Sequence, residues 1–184
     1  MHIPQRQVDF DRHLVETLAK NGPRYTSYPT ADRFHAGFNQ LNYQQALQQR
    51  NVGALNRPLS LYIHVPFCNT ICYYCGCNKI ITKDTSRADE YIDYLGRELD
   101  LIAPHLQGQH QLSQLHFGGG TPTFLNDEQL ARVFAHIKRH FEFSPRGEYS
   151  IEIDPRKVST DTVYRWRELC FNRMSVGIQD FDPQ

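Results

Sequence analysis

The 184-residue sequence predicts an α/β protein whose parallel strands form an incomplete or open (β/α) barrel. Predicted strands and helices alternate from residue 58 onward, which is typical of parallel sheets with right-handed crossovers. Each predicted strand also alternates apolar with polar residues, so its two faces differ in character. A complete eight-stranded barrel needs about 250 residues, so we expect this chain to form only part of one.

Residues 1–57 are predicted to be an N-terminal helical arm, because the segment is polar and rich in glutamine. Helices are expected at residues 10–20 and 42–50. Residues 24–30, between them, show no apolar period and are expected to form an ordered loop. The core domain is then expected to cover residues 58–184.

Four segments with alternating polarity are predicted to be the strands: residues 59–65, 112–117, 149–153 and 173–178. A parallel sheet covered on both faces would be almost continuously apolar. Here one face of each strand is apolar and is expected to pack on helices. The polar residues share the other face, and we expect them to line a polar cavity. A solvated sheet face is the alternative.

Three amphipathic helices are predicted between these strands. The first begins after Ser86, which resembles an N-cap with Asp89 three residues on, and Pro104 closes it. The second begins after Asn126, which is followed by Gln129 and can cap it. The predicted buried faces are Ala88, Tyr91, Ile92, Leu95, Leu99 and Ile102 in the first helix, Leu130, Val133, Phe134, Ile137 and Phe141 in the second, and Val163, Trp166 and Cys170 in the third.

The composition excludes several classes of partner. Lys and Arg together number 20 and balance 20 Asp and Glu, so no overall basic field exists to attract nucleic acid or an anionic membrane. No apolar run approaches the roughly 18 residues of a membrane-spanning helix. The N-terminal residues lack the pattern of a secretory signal. We therefore expect a cytoplasmic protein without nucleic-acid or membrane partners.

Cysteine is the most informative residue type. Four of the five cysteines, Cys68, Cys72, Cys75 and Cys77, fall within ten positions, and an odd total without an export signal argues against disulfides. Three thiolates spaced C-x3-C-x2-C can hold three corners of a 4Fe-4S cube and leave the fourth iron open to a small ligand. A four-thiolate zinc site that includes Cys77, and unligated thiols, are the alternatives. Cys170 we interpret as a buried apolar side chain.

Several motifs extend this pattern. They are Tyr62-Ile63-His64-Val65-Pro66-Phe67-Cys68, Cys72-Tyr73-Tyr74-Cys75, Cys75-Gly76-Cys77-Asn78-Lys79, and residues 24–30, 116–123, 151–156 and 177–181. The cysteine spacing resembles that of the radical S-adenosylmethionine (SAM) superfamily. The remaining motifs, in this order, resemble the oxygen-independent coproporphyrinogen III oxidase family from about residue 22 to the last residue.

The resemblance implies a partial (β/α) barrel of the radical SAM type and a set of cofactor ligands. One position differs from a form common in the family: the residue before the third cysteine is often Phe, and here it is Tyr74. Stacking on an adenine or a sulfonium should survive that exchange. Arg24 and Tyr25 are candidates for holding an anionic substrate. His64 and His116 we interpret as structural imidazoles held by hydrogen bonds. The implied ligands are Cys68, Cys72 and Cys75 for the cluster, Tyr62, Gly119 and Glu152 for one SAM, and Tyr74, Gly120, Thr121 and Gln179 for a second SAM.

The resemblance further implies a reaction. Coproporphyrinogen III would be oxidatively decarboxylated to protoporphyrinogen IX in haem synthesis by a 5′-deoxyadenosyl radical, with a low-potential electron donor as partner. This chain would be an N-terminal portion of a longer enzyme that is monomeric at full length. The alternatives are a haem-binding chaperone of the same superfamily, a zinc-stabilised module, and an inactive fragment of the oxidase.

Overall fold

The computed structural model describes residues 10–19, 30–50, 58–73, 75–108 and 110–177. The chain divides into two compact units, Met1–Gln40 and Leu41–Gln184. The helices are α1 (Arg12–Leu18), α2 (Gln40–Gln49), α3 (Arg87–Ile102), α4 (Asp127–His140) and α5 (Thr160–Glu168). The strands are β1 (Leu59–Val65), β2 (Phe67–Cys68), β3 (Ile80–Ile81), β4 (Gln111–Gly119), β5 (Glu142–Ile153) and β6 (Arg173–Val176).

The main sheet confirms the predicted fold class. Its strands run in the order β1-β4-β5-β6, and every neighbouring pair is parallel. This sequential order is that of a (β/α) barrel wall, whereas a doubly wound sheet reverses its order at a switch point. Parallel strands place their carboxyl ends at one edge of the sheet, which is where such folds carry ligand sites.

The core lies between the sheet and its helices. The apolar residues of β1, β4 and β5 form a helix-covered face, on which Phe117 stacks against Phe134 of α4 with ring centroids 5.7 Å apart. Phe171 meets both rings edge-on. The deepest members of this face are Ile63, Val65, Leu115, Phe117 and Ile151, and none exceeds 2% exposure. We call the opposite side of the sheet the polar face (Ser60, Tyr62, His64, Gln114, His116, Ser150 and Glu152).

Local capping explains where two helices begin. In α4 the prediction is confirmed, because the Asn126 side chain accepts from the Gln129 amide (2.8 Å) and the Gln129 side chain accepts from the Asn126 amide (3.1 Å). In α3, Ser86 occupies the predicted N-cap position. Ser86 precedes the helix but makes no capping bond, because its hydroxyl donates to the Asp84 carboxylate at 2.6 Å.

Two further expectations need correction. Cys170 does not lie on a helix, because α5 ends at Glu168 and Cys170 adopts a φ of 92°, outside helical geometry. The apolar residues of β6 are not buried, since Met174 and Val176 are 45% and 46% exposed in this edge strand. Strands β4 and β5 also extend beyond their predicted limits, because Gln111 and Leu112 pair with Glu142 and Phe143.

The predicted arm contains helices in both expected places. Helix α1 is shorter than predicted and begins after Asp11, whose carboxylate accepts from the Leu14 amide at 3.0 Å. Leu47 of α2 packs against the core. A boundary between residues 57 and 58 stays a prediction, and residues 24–29 and 178 lie outside the described residues. Within the described part of the chain, no helix has the length and apolar character that crossing a bilayer requires.

Candidate cofactor site

The carboxyl ends of β1, β4 and β5 bring polar side chains together. Tyr62 and His116, which are register partners on β1 and β4, stack with ring centroids 5.8 Å apart and planes inclined by 17°. His116 Nε2 lies 3.4 Å from Glu152 Oε1, and its Nδ1 lies 2.7 Å from Ser150 Oγ. These contacts set Tyr62 and Glu152, both predicted SAM ligands, on either side of one imidazole.

His64 links this group to the loop that carries the cysteines. Its Nδ1 lies 3.0 Å from the Tyr62 hydroxyl, and its Nε2 lies 2.8 Å from the Asn78 carbonyl oxygen, to which it donates. The Tyr91 hydroxyl of α3 donates to the His64 carbonyl at 2.5 Å. Burial raises the pKa of Tyr91 to about 12. The interpretation of His64 and His116 as hydrogen-bonded imidazoles agrees with these contacts.

The loop between β1 and α3 is tied down at its two ends. Cys68 is buried and ends β2, which pairs in parallel with β3. The Ile80 amide donates to the Pro66 carbonyl (2.7 Å), and the Thr82 amide donates to the Cys68 carbonyl (2.9 Å). The two ends of the loop are therefore joined by the β2–β3 pair, which we call the stem, and Cys68 lies in this stem.

The other two predicted cluster ligands lie on the exposed part of this loop. Cys72 is exposed and Cys75 is half-buried, and the Cys75 amide donates to the Cys72 carbonyl at 3.2 Å. The Lys79 ammonium donates to the carbonyls of Cys75 (3.2 Å) and Cys77 (3.3 Å), which closes the turn.

Their surroundings distinguish Cys75 from Cys77. A hydrogen bond from the Cys77 backbone lowers the pKa of the Cys75 thiol, and the nearby Lys79 charge acts in the same direction. Burial raises the pKa of Cys77, and its hydrogen bond with Cys75 adds to that shift. Cys75 is thus the better thiolate donor of the two.

The glycines after β4 let the chain pass close to this loop. Gly119 has a φ of +112°, and a Cβ there would lie 2.8 Å from the His64 ring. A Cβ on Gly120 would lie 2.9 Å from both Cys68 Sγ and the Phe67 carbonyl oxygen. Glycine is required at Gly119 by conformation and at Gly120 by close approach. The Gly120 amide donates to the Val65 carbonyl at 2.8 Å.

Thr121 continues the same contact. Its amide donates to the Phe67 carbonyl at 2.9 Å, and its hydroxyl donates to Cys68 Sγ at 3.3 Å. Gly119 meets His64, while Gly120 and Thr121 meet Cys68. Five of the seven predicted SAM ligands are therefore gathered at this edge. The other two, Tyr74 and Gln179, lie outside the described residues.

The polar face also encloses a cavity of about 210 Å³ nearer the amino ends of the strands. Ser60, Gln114 and His116 line one side, and the Glu148–Arg173 ion pair, with 2.7 Å between Nη1 and Oε1, lines the other. A polar cavity was expected from the sequence. The cavity lies closer to the amino ends of the strands than the predicted SAM ligands do. His116 borders both the cavity and the group of predicted SAM ligands.

Sequence reasoning missed several connecting residues. Asn78 accepts from His64 through its backbone carbonyl, and the Lys79 ammonium donates to the cysteine loop. Tyr91, which donates to the His64 carbonyl, was predicted only as part of an apolar stripe. Their positions in the sequence could have indicated these roles. Asn78 and Lys79 directly follow Cys77, and Tyr91 places a hydroxyl in an otherwise apolar stripe.

The donor set fits an iron–sulfur cube. Cys68, Cys72 and Cys75 are free thiols on one loop, and thiolates are the ligands such clusters take. Among the described residues, no three His, Cys, Asp or Glu side chains converge on a single ion position. That finding concerns one-ion sites, whereas the cysteines of a cube bind separate irons. The Cys68 sulfur already receives a hydroxyl donor, as a thiolate ligand would.

Comparison with known proteins agrees with this assignment. Residues 62–184 match the family model of the radical SAM superfamily. The chain belongs to this superfamily, and membership implies a 4Fe-4S cluster and SAM as cofactors. Within it, the relatives described below carry the name oxygen-independent coproporphyrinogen III oxidase, and the chain belongs to that family.

The relative from Escherichia coli is 45% identical over 179 residues, which are 97% of this chain and 38% of the relative. The relative from Mannheimia haemolytica is 41% identical over 149 residues, which are 81% of this chain and 99% of the relative. A solved structure described as coproporphyrinogen III oxidase from Escherichia coli, a radical SAM enzyme, superimposes with a TM-score of 0.81 at 42% identity. That match covers 96% of this chain and 38% of the solved chain, so the chain spans well under half of the longer relatives.

Proposed function

We propose that this chain carries the cluster- and SAM-binding part of an enzyme that converts coproporphyrinogen III to protoporphyrinogen IX without oxygen. One observation carries the proposal most strongly. The loop with three cysteines is held against a polar strand edge by His64 and Thr121, so the Cys68 thiol lies beside a predicted SAM ligand. A low-potential electron donor, a cytoplasmic location and a monomeric full-length enzyme belong to the same proposal.

The cysteines and the polar face have separate roles in this proposal. Cys68, Cys72 and Cys75 would hold the cluster, and one SAM would bind beside it. When bound, the cluster would supply the electron for cleavage of SAM, and the resulting 5′-deoxyadenosyl radical would remove hydrogen from a substrate propionate. Glu152 accepts hydrogen bonds from SAM, Tyr62 gives it an aromatic surface, and Gly119 lets the backbone approach it.

A second SAM is proposed on Tyr74, Gly120, Thr121 and Gln179. The geometry that supports it is the backbone of Gly120 and Thr121 beside Cys68, which brings this strand end next to the cluster loop. Because the hydroxyl and amide of Thr121 already donate within the protein, the residue would offer a second SAM only acceptor positions or its methyl group.

Anaerobic reconstitution with iron and sulfide tests the cluster. The wild-type chain should bind about four irons per chain, show a broad visible absorption that dithionite bleaches, and cleave SAM to 5′-deoxyadenosine when reduced. Cys72→Ala should lose both iron and SAM cleavage, because one corner of the cube then has no thiolate. Cys77→Ala is the matched control in the same loop and should keep the iron.

The outcomes separate the alternatives. A colourless protein that binds zinc and needs Cys77 would contradict the proposal and favour a four-thiolate zinc site. A loaded chain that binds haem and leaves coproporphyrinogen III unchanged, even when the remaining part of a longer relative is supplied, would favour the haem-binding chaperone. Formation of protoporphyrinogen IX by the reconstituted whole would support the oxidase.

A further inference from the structure

The three predicted cluster ligands do not have equivalent surroundings. Cys68 is 7% exposed and lies in the loop stem, whereas Cys72 is exposed and Cys75 is half-buried. Only for Cys68, among these three described sulfurs, does the structure give a side-chain hydroxyl as a donor: Thr121 Oγ1 lies 3.3 Å from Cys68 Sγ.

Hydrogen bonds on both sides hold the backbone of Thr121 in place. The Thr121 amide donates to the Phe67 carbonyl (2.9 Å), and the Thr121 carbonyl accepts from the Phe124 amide (2.8 Å). The preceding residue, Gly120, donates to Val65 at 2.8 Å and has no room for a Cβ beside Cys68 Sγ. The backbone of Thr121 is thus held next to Cys68, and the hydroxyl donates to the sulfur from there.

We propose that the Thr121 hydroxyl tunes the reduction potential of the bound cluster through its hydrogen bond to Cys68 Sγ. This inference rests on the proposed function, because it needs Cys68 to be a cluster ligand. Reduction adds negative charge to the cluster and to its thiolates, and a hydrogen bond to a ligand sulfur stabilises that charge. The hydroxyl would therefore make the cluster easier to reduce.

The test is a redox titration of the reconstituted chain without SAM, followed by electron paramagnetic resonance. Thr121→Val has nearly the same shape and removes the donor. At a fixed solution potential it should lower the ratio of reduced to oxidised cluster about tenfold, which is a shift of about 59 mV to more negative potential for a one-electron couple. Thr121→Ser keeps the hydroxyl and should stay close to the wild-type potential.

Two controls complete the design. Iron content is measured in every variant, so that a changed signal is not mistaken for a lost cluster. If Thr121→Val fails to fold or load, Thr121→Ala takes its place, and the comparison with Thr121→Ser remains. SAM affinity is measured separately, because a residue that only contacts SAM would lose affinity with no change in the potential measured without SAM.

Each outcome decides the inference. A negative shift in Thr121→Val that Thr121→Ser does not show supports it. A loaded Thr121→Val cluster with the wild-type potential overturns it and leaves the proposed function intact. A wild-type chain that assembles no cluster overturns both.

Discussion

The two faces of the main sheet differ sharply, although the same strands build both. On the helix-covered face, Ile63, Phe117 and Ile151 are at most 2% exposed. On the polar face, Tyr62 is 55% exposed, and Glu152 is half-buried beside His116. The first face is held by packing among aliphatic and aromatic side chains, and the second by hydrogen bonds and one ring stack.

This difference shows why alternating polarity in a parallel sheet is informative. A face that only stabilises the fold needs apolar residues throughout, whereas a face that meets polar ligands keeps donors and acceptors. Stability and ligand binding should therefore be separable by substitutions at adjacent positions of one strand. Residues 116 and 117 of β4 provide such a pair.

The largest expected effect is on the helix-covered face. Phe117→Ala removes a fully buried ring that contacts Phe134 and Phe171, so we expect the free energy of unfolding to fall by about 3–5 kcal/mol. His116→Ala, one residue away on the polar face, should cost less than about 1.5 kcal/mol because its hydrogen bonds are partly solvated. Urea unfolding of the apo chain measures both. Equal losses would contradict the division between the faces.

The sequence predicts the two faces better than it predicts the site. Strand β1 was predicted with its exact limits, since its alternation is regular, and Asn126 with Gln129 forms the capping box because that motif is local. Ser86 occupies the N-cap position but makes no capping bond, because its hydroxyl donates to the nearby Asp84 carboxylate. A capping pattern that considers only the residues after the cap does not detect a preceding carboxylate that competes for the cap hydroxyl.

The contacts that assemble the site are not local. Thr121 reaches Cys68 across 53 positions of the chain, and His116 reaches Glu152 across 36. Strand register decides these contacts, and residue spacing along the sequence gives no measure of it. The cysteine ligands were predictable because their spacing lies within one loop, whereas the hydroxyl that donates to Cys68 comes from Thr121, which follows β4.

On the polar face, the next largest effect is expected on SAM affinity. His116→Ala should weaken SAM binding to the reconstituted chain about tenfold, or about 1.4 kcal/mol, because Glu152 loses the imidazole that orients it. Gln114→Ala, two residues earlier on the same face, is the matched control and should bind SAM as wild type does. Equilibrium dialysis under anaerobic conditions gives both constants. Unchanged affinity in His116→Ala would show that Glu152 needs no such support.

The smallest effect concerns Tyr91, which reaches from the helix side to the backbone that carries His64. Tyr91→Phe removes the hydrogen bond to the His64 carbonyl and should lower the free energy of unfolding by about 1 kcal/mol at neutral pH. Chemical unfolding of the apo chain at pH 7 measures this difference. A loss close to that of Phe117→Ala would place Tyr91 among the residues that hold the core.

The same variant has a pH dependence with a definite sign. The pKa of Tyr91 is raised from 10.0 to about 12 by burial, so the unfolded chain loses this proton first. The contribution of the phenol to stability is therefore complete below pH 10 and is lost as the pH rises from 10 toward 12. The stability of the wild type should fall more steeply over that interval than the stability of Tyr91→Phe. Since Tyr62 and Tyr149 also have raised pKa values and are present in both proteins, the difference between the two curves isolates Tyr91. Parallel curves would mean that the Tyr91 phenol ionises as it does in water, and that the link between the faces is open to solvent.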